Sequence, residues 1–125
     1  MRIASIAILA LLAMLNAAMA QEPSRPVARH EIDQLLSSLG QSGCRFFRNG
    51  TWYDAAQAAS HLKRKYGYLE RKGLVTSAES LIDLAATKSS ISGQPYLVRC
   101  PGSTAIPSKA WFTEQLAGIR ARDGN

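Results

Sequence analysis

The side chains of this sequence that could carry out nucleophilic chemistry are two adjacent serines and one histidine. Ser89 and Ser90 lie in the run Lys-Ser-Ser-Ile-Ser-Gly, and His61 precedes them in the chain. A serine nucleophile needs a base and an orienting acid, for which Asp54 and Asp83 are the available carboxylates. Neither serine has the Gly-x-Ser-x-Gly spacing of a nucleophile elbow. The sequence therefore keeps a cell-envelope hydrolase or transferase, using Ser90 or Ser89 with His61, as an alternative hypothesis.

Other common catalytic and cofactor sites lack their residues in this sequence. No pair of carboxylates stands out for glycosidic chemistry, and no phosphate-binding loop motif occurs. Two histidines and two cysteines are too few and too widely spaced for a zinc site. The Ser- and Gly-rich residues 89–93 could offer main-chain amides to an anion, although such residues usually form a plain turn. We therefore expect no metal and no cofactor.

The N-terminal residues have the composition of a signal peptide. Arg2 is followed by an apolar run from Ile3 to Leu15, and Ala18-Met19-Ala20 matches the small-x-small cleavage pattern. The run is shorter than the roughly 20 residues that a membrane span requires. We expect cleavage after Ala20, leaving a periplasmic or secreted protein without a membrane span.

The positive charge of the chain bears on its partner. The net charge is +6, from 15 basic and 9 acidic residues, and the basic residues are spread along the sequence. No DNA- or RNA-binding motif is present, so nucleic acid is not the expected partner. In an exported protein, this charge favours an anionic envelope component or an acidic protein surface. A solvated surface with a mild positive balance explains the same composition.

The chain contains two cysteines, Cys44 and Cys100. An oxidising compartment predicts a disulfide between them, whereas two free thiols or a metal pair would be unusual there.

Four segments place apolar residues at helical spacing and are predicted to form helices. They are residues 30–39, 54–69, 76–89 and 107–121. Capping boxes are predicted at Asp54–Gln57 and at Thr76–Glu79. Ser89 falls on the inward stripe of the third helix, so its hydroxyl should be buried and should need a partner.

The segment from Cys44 to Asp54 is predicted to form a β-hairpin. Asn49-Gly50 readily supplies the two positive-φ positions of a type I′ turn. Asn49-Gly50-Thr51 also matches a glycosylation acceptor, but the turn explains it better. Residues 96–100 read as a strand, which a Cys44–Cys100 bond would place beside the hairpin.

These elements predict a single α+β domain over residues 30–121. A three-stranded antiparallel sheet, made of hairpin 44–53 and strand 96–100, would pack against about four helices. Residues 21–29 are predicted to form a flexible leader, and residues 122–125 a polar tail.

The hairpin carries more aromatic residues than one buried face requires. Alternation predicts Phe46 on the buried face, with Arg45, Phe47 and Arg48 as candidates for the other. One interpretation is that helices cover both faces, since aromatic residues such as Trp52 are mostly core. The other is that the second face is an aromatic and arginine surface that contacts a partner. We favour the first.

Three sequence blocks occur in the order found in a known family. They are Phe47-Arg-Asn-Gly50, then Tyr53-x-Ala-x-x-Ala-x-x-His61-Leu62 with Lys65, then Ser89-Ser90-x-Ser-Gly93-x-Pro-Tyr96, before a Trp-containing last helix. Over about residues 30–120 the chain resembles the YfeK-like family of small exported proteobacterial proteins, which carry a domain of unknown function. The resemblance implies a Gram-negative periplasm but no catalytic residue. The polar residues of these blocks are the candidate binding residues: Arg48, Asn49, His61, Lys65, Ser90 and Tyr96.

We therefore predict a small, non-enzymatic binding or interaction module. Its contact surface would be the hairpin together with the turn from Ser89 to Tyr96. Two alternatives stay open besides: the hydrolase above, and a domain whose motif residues serve folding alone. A lone histidine such as His61 is usually a hydrogen-bonded surface group rather than part of a site.

Overall fold

The computed structural model describes residues 25–124, as four helices and four strands. The helices are α1 (Arg25–Gln41), α2 (Ala55–Arg71), α3 (Ala78–Ala85) and α4 (Ser108–Asp123). The strands are β1 (Arg45–Arg48), β2 (Thr51–Tyr53), β3 (Leu97–Arg99) and β4 (Ile106–Pro107). The predicted signal peptide lies outside the described residues. Across residues 25–124, every helix is too short or too polar to cross a membrane.

Helix α1 is the central helix, because it contacts α2, α3 and α4. Its apolar stripe is buried as predicted: Ile32, Leu35, Leu36 and Leu39. The helix begins at Arg25, so the prediction of a flexible leader was wrong for residues 25–29. Pro26 lies in the first helical turn, where its missing N–H breaks no helical hydrogen bond. Ala28 is already buried, which extends the packed face toward the N-terminus.

Helix α2 begins at the predicted capping box. The Asp54 carboxylate accepts a hydrogen bond from the Gln57 amide at 2.7 Å, and the Gln57 side chain accepts one from the Asp54 amide at 3.2 Å. Both exchanges satisfy amides that have no partner within the helix. This cap fixes where the chain leaves the hairpin and therefore which residues of α2 face it.

Helix α3 begins one residue later than the predicted box. Its N-cap is Ser77, whose hydroxyl accepts from the Ser80 amide at 3.1 Å, while the Ser80 hydroxyl accepts from the Ser77 amide at 3.0 Å. The prediction of Thr76 and Glu79 as the capping pair was therefore wrong. The Glu79 carboxylate instead accepts hydrogen bonds from Arg120 of α4.

The sheet has four antiparallel strands in the order β2-β1-β3-β4, so the prediction of three strands was incomplete. Strand β4 is two residues long and contains Pro107, which a sheet accepts at its edge. A strand this short has no alternation to detect. The predicted turn between β1 and β2 is confirmed, since φ is +49° at Asn49 and +82° at Gly50.

The predicted disulfide between Cys44 and Cys100 is confirmed. Cys44 precedes β1 and Cys100 follows β3, and their Cα atoms are 4.0 Å apart. The bond thus links the two central strands of the sheet at one end.

The helices cover one face of the sheet. On that face Phe46 and Val98 are buried within the core. None of the strand residues on the other face is buried: Arg45, Phe47, Trp52, Leu97, Arg99 and Pro107. The interpretation that helices cover both faces was therefore wrong. Arg48 follows the alternation of Phe46 and shares its face, so its predicted placement on the other face was also wrong.

Side chains of other helices contact the C-terminal turn of α4. Asp123 lies 2.9 Å from His30, and Arg120 pairs with Glu31 and Glu79. The helix continues to Asp123, so the predicted tail at 122–125 begins too early. Beyond the predicted end of the helix, Asp123 contacts His30 of α1, a partner on another helix that no local pattern reveals.

Ser89 is buried, as predicted, although it lies beyond the end of α3. Its hydroxyl oxygen accepts hydrogen bonds from the amides of Ile91 and Ser92 at 3.1 and 3.2 Å. The hydroxyl thus closes the loop between α3 and β3.

Candidate functional site

A basic cleft of about 410 Å³ lies between the β1–β2 hairpin and the first turns of α2. Its lining comprises Phe46, Arg48, Tyr53, Ala56, Gln57, Ala58, Ser60, His61 and Arg64. The lining contains two arginines and no acidic residue. Its apolar part is contributed by aromatic rings of the hairpin and by alanines of α2. A cleft of this composition suits an anionic group attached to a small apolar body.

His61 lies on α2 and faces this cleft. Its pKa is lowered to about 4, first by burial and then by the positive charges of Arg48, Lys65 and Arg64. The imidazole is therefore uncharged at neutral pH. Its Nε2 atom is buried and has no hydrogen-bond partner within residues 25–124. A buried nitrogen without a partner is costly, which marks this position as an incomplete polar site.

Two arginines approach the cleft without a neutralising partner. The Arg48 guanidinium lies over the Tyr53 ring, 4.9 Å from its centroid. Arg64 is one turn beyond His61 on α2 and is exposed. Among the residues that the structure describes, neither arginine forms an ion pair with a carboxylate. Their charge is thus available to an anion.

Lys65 and Tyr96 lie beside the cleft. The Lys65 ammonium donates to the Tyr96 hydroxyl and to the Lys88 carbonyl oxygen, both at 3.4 Å. Burial and, after it, the charge of Arg48 lower the pKa of Lys65. Burial raises the pKa of Tyr96, and Arg48 opposes that shift. The centroid of the Tyr96 ring lies 5.0 Å from the centroid of the Phe46 ring, and Phe46 lines the cleft. Lys65 and Tyr96 are thus connected to the cleft through Phe46.

The structure therefore brings four of the six candidate residues together: Arg48, His61, Lys65 and Tyr96. Asn49 lies at the tip of the hairpin, where its side-chain oxygen accepts a hydrogen bond from the Ser92 hydroxyl at 2.6 Å. This bond ties the hairpin to the loop before β3. Ser90 is exposed in that loop, and its side chain forms no hydrogen bond with another described residue.

The serine–histidine pair of the alternative hypothesis is not formed. The Ser89 hydroxyl is engaged with main-chain amides, and no hydrogen bond joins His61 to Ser89 or Ser90 in the described part of the chain. Residues 25–124 contain no group of three or more His, Cys, Asp or Glu side chains that could hold a metal ion.

Sequence reasoning missed Arg64 and Gln57 as lining residues of the cleft. Arg64 is three residues after His61, a spacing that puts two side chains on one side of a helix. That signal was present in the sequence. Gln57 was not predicted to line the cleft, because its side chain was interpreted only as part of the helix cap.

Comparisons with known proteins agree with the resemblance found in the sequence. The family described as "Family of unknown function (DUF5329)" matches residues 26–120. The protein named "Uncharacterized protein YfeK" from Salmonella typhimurium (strain LT2) is 38% identical over 66 residues, which cover 52% of this chain and 53% of that relative. The chain thus aligns with about half the length of this relative. No solved structure matches.

Proposed function

The chain belongs to the DUF5329 family of unknown function and is similar to a YfeK protein, and we propose that it is a non-enzymatic module that binds an anionic partner through the basic cleft. The partner would be an anionic envelope component or an acidic group of another protein. The bound group would lie between Arg48 and Arg64, beside the uncharged ring of His61.

One observation carries this proposal: within residues 25–124, two arginines without acidic partners line one cleft, beside a buried ring nitrogen of His61 that has no hydrogen-bond partner. Arginine side chains are suited to bind carboxylates and phosphates through paired hydrogen bonds. The neutral His61 ring adds no charge that Arg48 would repel. The alternative of an envelope hydrolase has no comparable observation in its favour.

Titration with phenyl phosphate, followed by ¹H–¹⁵N NMR, tests this proposal. The probe combines an anionic group with an apolar ring, which matches the two parts of the cleft lining. We expect the shift changes to cluster at Arg48, His61 and Arg64 and to saturate. Phenol, which has the ring without the charge, should produce much smaller changes.

The control variants separate the cleft from general attraction to a basic protein. Arg48→Gln should weaken phenyl phosphate binding, whereas Arg45→Gln removes the same charge from the other face of β1 and should leave it unchanged. Equal weakening by both variants, or no saturable shift in the cleft, would contradict the proposal. A role in folding alone predicts a lower melting midpoint for Arg48→Gln, and we expect the midpoint to stay the same.

The proposal includes export to the periplasm. It is supported by the signal-peptide pattern of residues 1–20 and by the disulfide, because disulfides persist in oxidising compartments. N-terminal sequencing of the protein purified from a periplasmic fraction should begin at Gln21. A retained apolar segment would mean that the chain is anchored instead.

A further inference from the structure

The sheet face opposite the helices carries a compact set of aromatic, aliphatic and basic side chains. This open face is defined here as Arg45, Phe47, Trp52, Leu97 and Arg99. Phe47 is the direct cross-strand neighbour of both Trp52 and Leu97, and its ring lies 5.0 Å from the Trp52 ring. These three side chains are only partly exposed, while both arginines are exposed. The open face is thus an apolar strip flanked by positive charge.

The two arginines of the open face stand directly opposite each other. Arg45 pairs with Arg99 across β1 and β3. Like charges at directly opposed positions destabilise a sheet, and neither arginine has an acidic partner within residues 25–124. A carboxylate placed between them would relieve this repulsion.

The position of Arg99 indicates which anion this face can take. Its guanidinium lies 4.5 Å from the centroid of the Trp52 ring. Stacking on an aromatic ring holds the planar guanidinium while leaving its N–H edge free to bind a carboxylate with two hydrogen bonds. Because Arg99 covers a face of Trp52, that face is closed to a sugar ring. A second copy of the chain would bring four arginines together and would be repelled.

We propose that the open face is a second binding surface, which takes an extended acidic peptide segment of a partner protein. A carboxylate of the segment lies between Arg45 and Arg99, and an apolar side chain of the segment lies along Phe47, Trp52 and Leu97. In an extended peptide alternate side chains point the same way, so an acidic and an apolar side chain two residues apart reach both parts together. The open face lies on the opposite side of β1 from the basic cleft. The proposal for the open face therefore does not depend on the function proposed for the cleft.

The test uses fluorescein-labelled model peptides and the full exported protein in about 0.15 M salt, where distant charges are largely screened. One peptide, acetyl-Glu-Gly-Leu-Gly-Glu-Gly-Leu-amide, places acidic and apolar side chains on one side. In the neutral control peptide, Gln replaces both Glu residues. We expect fluorescence anisotropy to detect saturable binding of the acidic peptide and at least roughly tenfold weaker binding of the neutral one, as lost charge-assisted hydrogen bonds imply.

Two double variants with the same charge change locate the surface. Arg45→Gln/Arg99→Gln should weaken binding of the acidic peptide by roughly tenfold or more, the loss expected from two charge-assisted contacts. Arg71→Gln/Arg122→Gln, at exposed positions of α2 and α4 outside both proposed surfaces, should change it less than roughly twofold, because screening limits distant charges. The melting midpoint of the open-face variant should stay close to that of the wild type, because removal of the Arg45–Arg99 repulsion offsets the lost stacking of Arg99 on Trp52.

Several results would overturn the proposal. They are equal weakening by both double variants, equal binding of the acidic and neutral peptides, and no saturable binding by the wild-type protein. A further one would be binding to phosphatidylglycerol vesicles that requires Arg45 and Arg99 while the peptide fails to bind. That outcome would assign the open face to a lipid surface instead.

Discussion

At the scale of single residues, electrostatics separates His61 from an ordinary surface histidine. The sequence indicated a hydrogen-bonded surface group, but the structure places cations around His61, and its buried Nε2 atom has no hydrogen-bond partner among the described residues. Burial and positive neighbours act in the same direction, because each disfavours the charged imidazolium. The His61 ring of the folded protein is therefore neutral above a pH of about 4.

The lowered pKa of His61 predicts a loss of stability in mild acid. The ordinary pKa of 6.5 applies in the unfolded chain and a value of about 4 in the folded protein. Between these values the unfolded state binds a proton that the folded state does not, so stability falls as the pH drops from 6.5 toward 4. Urea unfolding at intervals across this window should show a shallower decline for His61→Gln than for the wild type.

Above pH 7 both states of His61 are neutral, so the difference between the two proteins should become constant there. Parallel curves for the wild type and His61→Gln across the acidic window would contradict the assignment of the lowered pKa to His61.

At the scale of elements, helix boundaries depend on which hydroxyl reaches which amide. Thr76 and Ser77 are both acceptable N-cap residues, and the sequence favoured Thr76 because Glu79 follows at the right offset. The structure uses Ser77 with Ser80, and Glu79 is drawn to Arg120 instead. A tertiary ion pair thus overrides the local pattern.

The identity of this cap can be tested by a matched pair of substitutions. Ser77→Ala removes the hydroxyl that caps an eight-residue helix and should lower the free energy of unfolding by about 1 kcal/mol. Thr76→Ala removes an exposed side chain and should change it by less than about 0.5 kcal/mol. Chemical denaturation measures both values. The reverse order of the two effects would restore Thr76 as the cap.

At the scale of the whole molecule, one arginine joins three helices. Arg120 of α4 donates two hydrogen bonds to Glu31 of α1, at 2.8 and 3.1 Å, and two to Glu79 of α3, at 2.9 and 2.8 Å. These carboxylates raise the pKa of Arg120, and Arg120 lowers the pKa of Glu79. The Glu31 side chain is only 9% exposed, so it depends on Arg120 for compensation of its charge.

Arg120→Met should therefore lower the free energy of unfolding by about 2 kcal/mol. This value lies between those of surface and fully buried pairs, because the Arg120 side chain is 43% exposed. Arg122→Met removes an exposed arginine of the same helix and should have little effect in the same denaturation experiment. The double variant Glu31→Leu/Arg120→Met should recover part of the loss, since no unpaired charge is left buried. Equal effects of the two single variants would argue against the three-helix ion pair.

The disulfide is the second long-range tie. It joins residues 56 positions apart, and closing a loop of this length is worth about 4 kcal/mol in the chain-entropy model. The variant Cys44→Ala/Cys100→Ala should lose about that much stability in urea unfolding under non-reducing conditions. Wild-type protein in reductant should approach the variant. An unchanged midpoint would show that the loop is already restricted in the unfolded chain.

Features that depend on near neighbours in the chain followed from the sequence alone: the inward faces of the four helices, the Asn49-Gly50 turn and the Asp54 cap. Each rests on periodicity or on local hydrogen bonds. The α+β class followed from the mixture of these elements, and the cysteine pairing followed because the chain has two cysteines. The family blocks likewise pointed to Arg48, His61, Lys65 and Tyr96, which the structure brings together.

Features that depend on contacts between residues far apart in the sequence could be seen only in the folded structure. Strand β4 forms by pairing with the edge of β3. Its two residues are too few to show the alternation of a strand. The C-terminal turn of α4 contacts His30, Glu31 and Glu79, which are far away in the sequence. Phe47 and Trp52 stay partly exposed because α2 and α4 pack on the other face of the sheet. Periodicity assigns side chains to a face of a strand, but packing alone decides whether that face is covered.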